Sequence, residues 1–219
     1  ILFGTIVGNG YSAFRQGFVR LDVHFDAGLI DPDGGRDPDM LSAADYSLLV
    51  KAALRELVPE ASSRVEKREL NGLVSSGAVY ELRDTVMADA GILGQTRSIW
   101  LPLNSEVDLW IKARSAGKSG EDEQGRLSAN QRAWLERLQA DDRIELRFNR
   151  TFFTSGDSRE PELAGVWGAT KGSFFMLLVT LLLSFPLGVA AAIYLEEFAR
   201  RSWWVDIVEV NINNLAAVP

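Results

Sequence analysis

The sequence predicts a polar α+β domain followed by an all-α segment that crosses a membrane. Three observations predict it. Residues 172–195 run for 24 positions without a charged side chain. Residues 19–26 alternate apolar and polar with period two. Several further stretches carry helical start signals and apolar stripes, the clearest being Ser128 followed by Gln131.

The uncharged run, GSFFMLLVTLLLSFPLGVAAAIYL, is the dominant feature. As a helix rising about 1.5 Å per residue it reaches about 36 Å, enough to cross a hydrocarbon layer of about 30 Å. A soluble core helix rarely needs so long a stretch without charge. Pro186 inside the run removes one backbone donor and is expected to kink the helix, which lipid-embedded helices tolerate when neighbours satisfy the freed carbonyl. Gly188 and Ala192, four apart, offer a small-residue face for another helix. Thr180 and Ser184 are also four apart and share a face, which makes them candidates to line a translocation path. Trp167 on one side and Trp203-Trp204 on the other suit interfacial belts. Lys171 and Arg200-Arg201 flank the two ends almost evenly, so charge asymmetry does not set the orientation.

The rest of the chain is of a different material. Residues 20–169 hold 19 Lys plus Arg against 26 Asp plus Glu, which accounts for the whole net charge of −7. About 150 residues suffice for one domain with its own core, and an acidic domain argues against nucleic acid as a partner. There is no cysteine, which excludes disulfides and thiolate metal sites. One histidine, His24, falls on the polar side of the alternation and reads as a solvated strand residue. With no Cys and a lone His, no nucleophile–base pair stands out, and no catalytic, metal or cofactor-binding residue is expected.

Taken in order, residues 19–26 form a strand with Val19, Leu21, Val23 and Phe25 on its buried face. The loop 31–39 carries four Asp at odd positions, but the EF-hand positions counted from Asp31 hold Gly35, Arg36 and Ser42, and the calcium pattern fails. A helix capped by Asp39 or Ser42 is expected to run to Leu57, ahead of Pro59. A second helical stretch, 63–90, is interrupted near Asn71-Gly72 and Ser75-Ser76-Gly77. Residues 97–103 read as a short strand or extended arm, and 105–114 as a helix with Val107, Trp110 and Ile111 on one face. Residues 115–125 are a polar linker whose Gly117-Lys118-Ser119 lacks the upstream glycine of a phosphate loop, Lys112 standing in its place. The Ser128/Gln131 capping box opens a helix to about Ala140. Residues 143–154 alternate through Ile144, Leu146, Phe148 and Phe152 as a second full strand, with Asn149-Arg150-Thr151 a glycosylation sequon by pattern alone. Residues 155–161 form a polar hinge into the apolar run.

The C-terminal stretch GVAAAIYLEEFARRSWWVDIVEVNINNLAAVP resembles the permease subunit of bacterial phosphate ABC importers, of the PstA type. Residues 188–197 match the end of a span followed by a Tyr-Leu-Glu-Glu turn; residues 212–219 match an Ile-Asn-Asn-Leu-Ala-x-Val-Pro entry to the next helix. Residues 14–31, with LDVHFD and LIDP, look like an extra domain found in some of these permeases after their first membrane helix.

The resemblance implies a piece of a multi-pass protein of the bacterial inner membrane. Residues 1–16 would end a first, mostly missing, membrane helix. Residues 17–168 would be a periplasmic α+β domain. Residues 169–219 would start the permease proper, with a span at 172–195, a cytoplasmic loop at 196–214 and the next span from 215. Implied partners are a second permease subunit, an ATP-binding subunit, a periplasmic phosphate-binding protein and membrane lipid. ATP and Mg would sit on the ATPase, none on this chain, and the element that docks the ATPase would lie beyond Pro219. The competing reading is a membrane-anchored extracytoplasmic sensor or binding domain with a single span.

Overall fold

The computed structural model describes residues 10–117, 127–200 and 202–216. Its contacts divide the chain into two units, 1–167 and 168–219.

The first unit mixes short helices with one small sheet. β1 (Arg15–His24) is the centre of a three-stranded antiparallel sheet, between β2 (Thr96–Pro102) and β3 (Ile144–Phe148). Register sets Leu21 opposite Ile99, and Val19 opposite both Leu101 and Ile144. The alternation in 19–26 therefore does what period two requires: Val19, Leu21 and Val23 are buried, while His24 faces solvent and meets the Thr96 hydroxyl at 3.1 Å. The open face of the sheet is polar. Arg143 pairs with Asp22 at 3.1 Å, Ser98 also donates to Asp22, and the Arg147 guanidinium lies over the Trp100 ring at 4.1 Å.

Helices cover the other face. α1 (Ala27–Ile30), α2 (Pro38–Ala43), α3 (Ser47–Leu57), α4 (Arg64–Asn71) and α5 (Ala78–Ala88) separate β1 from β2. α6 (Ser105–Ser115) and α7 (Ala129–Ala140) separate β2 from β3. Tyr46, Phe25, Leu54, Leu82, Ile111 and Leu135 are among the side chains sealed in one core. A leucine buried this fully contributes roughly 2 kcal/mol by removal from water. Capping boxes start α4 (Ser63 with Glu66) and α7 (Ser128 with Gln131), each satisfying two end donors reciprocally.

Two expectations are corrected and one open alternative is decided. The helix expected from Asp39 or Ser42 to Leu57 is two helices. Asp37 caps the first, Pro38 begins it, and Asp45 accepts from the Ser47 N–H to start the second. The break lets Tyr46 turn into the core and donate its hydroxyl to the Leu41 carbonyl at 2.7 Å; burial raises the pKa of that phenol. Of the two readings expected over 97–103, a short strand or an extended arm, the structure has the strand, Thr96–Pro102, which completes a three-stranded sheet. The strand expected over 143–154 stops at Phe148. There Asn149 accepts from the Phe152 N–H at 3.0 Å and caps α8 (Arg150–Thr154), so the sequon sits at a helix start.

The expected boundary between residues 16 and 17 falls inside β1. Residues 11–14 form a 3-10 turn leading into the strand. The apolar opening 1–9 and most of the 115–125 linker, with Lys118 and Ser119, lie outside the described residues.

The second unit is helical. α9 (Trp167–Ile193) begins at the last residue of the first unit. A wide π turn, Tyr194–Phe198, follows it, and then α10 (Trp203–Ala216). Within 196–214, the stretch expected to connect two spans, the backbone from Trp203 on is helical, and the Val205 and Asp206 N–H groups close on the Ser202 carbonyl.

Candidate functional site

α9 is the candidate site of the second unit. Helix and π turn together give 32 residues long and apolar enough to cross a membrane, with none of the most apolar window buried. Met176 is 72% exposed and Leu177 70%. A water-soluble domain covers such a surface; apolar side chains exposed on every side of one helix mark contact with lipid or with other helices.

The residues singled out in the sequence fall in one line. Thr180, Ser184, Gly188 and Ala192 follow each other at intervals of four. At 3.6 residues per turn this makes a gently winding ridge of small side chains along α9. All four are exposed. A Cβ placed on Gly188 would meet nothing within 4 Å, so no contact within the chain demands glycine there. The helix continues through Pro186, where the Leu182 carbonyl loses the donor that any other residue would supply.

The Tyr-Leu-Glu-Glu segment coincides with the π turn. The Ala199 N–H donates to the Tyr194 carbonyl, five residues back, at 2.8 Å. Glu196 and Glu197 are exposed on it. Beyond it, the Trp203 and Trp204 rings lie 3.8 Å apart. Ile207 and Val210 follow along α10, and the Asn211 amide donates to the Ile207 carbonyl at 2.8 Å.

The first unit holds a polar cluster that the sequence does not reveal. Asp108 on α6 accepts the Gly17 N–H at 2.6 Å and pairs with Lys112 at 2.6 Å, both side chains largely buried. Gln16 donates to the Glu162 carbonyl at 3.0 Å across 146 residues of chain. Gln16 Oε1 and both Glu162 carboxylate oxygens are buried with no hydrogen-bond partner among the described residues. These four side chains line a cleft of about 340 Å³ together with Asn149 and Phe152. Gly17 and Asp108, and Gln16 and Glu162, are too far apart in sequence for any spacing rule to pair them, although Asp108 and Lys112 are four apart on one helix. Among the described residues, no group of three or more His, Cys, Asp or Glu side chains is gathered to hold a metal.

The segment carrying Glu162 is tied down along its length. Leu163 sits over Gly77, where a β-carbon would collide with it. The Gly165 N–H donates to the Gly156 carbonyl at 2.8 Å, Val166 to Phe152 at 2.8 Å and Trp167 to Ser155 at 3.1 Å. The hinge expected over 155–161 is therefore a strap cross-linked through backbone groups. A Cβ on Gly165 would stand 2.5 Å from the Ser155 oxygen and 2.6 Å from that of Thr151.

No curated protein and no solved structure matches the chain. A family model described as a domain of unknown function (DUF3333) matches residues 1–121, which takes in β1, β2 and the helices through α6 and ends before α9. That match covers more than half of the 219 residues, and the chain belongs to the DUF3333 family.

Proposed function

We propose that this chain is part of the membrane permease subunit of an ATP-driven phosphate importer in a bacterial inner membrane. The observation that carries the reading is the apolar surface of α9, exposed all round and leading directly into a π turn at Tyr-Leu-Glu-Glu. The resemblance of 188–219 to PstA-type permeases supplies the substrate and the class of assembly.

On this reading α9 crosses the bilayer and the acidic first unit lies in the periplasm. The Gly188–Ala192 end of the ridge is where a helix of the same bundle or of a second permease subunit packs closely. Nothing between Gly172 and Leu195 is ionised, so the hydroxyls of Thr180 and Ser184 are the donors α9 can offer to an oxyanion near its middle. The chain carries out no covalent chemistry. It changes which side of the membrane a path opens to, driven by ATP and magnesium held on an ATPase partner, and it receives phosphate from a periplasmic binding protein. The full-length protein is multi-pass.

The test uses the full-length gene. Deleting it should abolish ATP-dependent phosphate uptake at low phosphate, and the intact gene should restore it. Removing residues 17–166 and joining the flanking helices then measures what the outer unit adds, with and without the binding protein. Uptake unchanged by loss of the whole gene overturns the reading.

A further inference from the structure

Five aromatic rings of the first unit form one continuous stack that no core absorbs. Phe14 and Phe153 stack at 5.8 Å, and Phe153 and Phe148 at 5.4 Å. Phe152 meets Phe153 edge-on at 5.0 Å, and Tyr11 meets Phe14 edge-on at 6.4 Å. Tyr11 is 63% exposed, Phe148 62% and Phe153 41%. Contiguous exposed rings of this kind mark a surface that meets something other than water.

Their place in the fold says what that is. Asn149 ties α8 to the strand entry, accepting no help from the core: its N–H donates to the Phe14 carbonyl at 2.9 Å and its amide to the Ala13 carbonyl at 3.2 Å. On the other side the Phe152 carbonyl accepts the Val166 N–H, one residue before α9 begins at Trp167. The stack is thus held beside the residue from which the apolar helix departs. The charges next to it in sequence on the same side of the sheet, Arg15 and Arg150, are positive, although the unit as a whole is acidic. Aromatic rings with arginines fit the boundary between headgroups and acyl chains, where each ring has an apolar body to bury and each guanidinium a phosphate to meet.

We infer that the Tyr11–Phe14–Phe148–Phe152–Phe153 surface rests in the lipid headgroup region and seats the first unit on the bilayer. The inference depends on α9 being a membrane span, and its test separates the two. The chain has no cysteine, so single cysteines can be placed in the full chain without removing native ones. Tyr11→Cys and Phe153→Cys test the surface; Val65→Cys, on the exposed side of α4 and 67% exposed, is the aqueous reference; Leu182→Cys reports on the span. Each variant, labelled with an environment-sensitive fluorophore, is reconstituted in phosphatidylcholine–phosphatidylglycerol vesicles carrying nitroxides at the headgroup or deep in the chains.

The labels at positions 11 and 153 should be quenched at least about twofold more by headgroup nitroxides than by deep ones. The label at 65 should respond only to a water-soluble quencher, and that at 182 to deep nitroxides. If 182 behaves so while 11 and 153 follow 65, the span stands and the seating is wrong. If 11 and 153 are shielded from aqueous and lipid quenchers alike, a protein covers the surface and the inference is overturned. If 182 is not quenched by lipid, the membrane reading falls and takes the seating with it.

Discussion

Asp108 holds the start of β1 by a single bond: its Oδ1 accepts the Gly17 N–H at 2.6 Å. A β-carbon at position 17 would stand 3.1 Å from that oxygen and 2.9 Å from Leu103, so glycine is what lets the carboxylate come so close. The other oxygen pairs with Lys112, one turn along α6. Taking away the carboxylate strands a largely buried ammonium and a strand N–H together. Asp108→Ala should cost about 3 kcal/mol. In a cycle with Lys112→Met, the double variant should lose less than the two singles added, by more than about 1 kcal/mol. Denaturant unfolding of the detergent-solubilised chain, followed by tryptophan fluorescence, measures both.

Glycine is needed for different reasons at three places. Gly165→Ala meets two carbonyl oxygens of the backbone, which cannot swing aside, and should destabilise the first unit by about 2 kcal/mol. Gly77→Ala meets only the end of Leu163, a side chain that can rotate, and should cost less. Gly188→Leu meets nothing in the chain. It should leave unfolding of the first unit unchanged and, if the chain is the permease proposed, reduce co-purification with a second permease subunit. The same melts with a pull-down distinguish the three.

Asp22 ties the open face of the sheet to pH. Its hydrogen bond from Ser98, then that from Arg143, hold its carboxyl below the usual carboxylate range. A depressed folded-state pKa contributes stability above the unfolded value, and that contribution is lost as pH falls through the folded one. Asp22→Asn should therefore lower stability near neutrality by about 0.5 kcal/mol, as befits a half-exposed pair. The gap should close below about pH 4. Stability curves of both proteins between acid and neutral pH check the sign.

Leu182→Arg puts a charge in the middle of α9. If that helix is in lipid, the cost of insertion rises by about 3 kcal/mol. The variant should shift from the carbonate-resistant membrane fraction to the extractable one, whereas Val65→Arg should not move.

The elements that rest on local chemistry were readable in the sequence. The β1 alternation, the Ser128 capping box and the uncharged run each contain their own cause within about ten to thirty residues. Where two local signals compete, reading failed. Asp45 falls where an apolar stripe could carry one helix from Ser42 to Leu57, but its turn-forming side chain and the burial of Tyr46 divide it. Phe148 and Phe152 look like one alternation until Asn149 caps a helix between them. The Gln16–Glu162 contact and the aromatic stack join the two ends of the first unit, and no window of sequence contains both partners.

The π turn at Tyr194–Phe198 holds one residue more than an α-helix would spend there, kept by the bond from Ala199 to Tyr194. That spare residue works as a vernier. Deleting a single position in the turn would let the last bonds of α9 close at the ordinary four-residue step, re-aiming Glu196 and Glu197 within that turn. The stretch that follows Ala199, where the backbone turns extended, would be drawn one residue nearer to the end of α9.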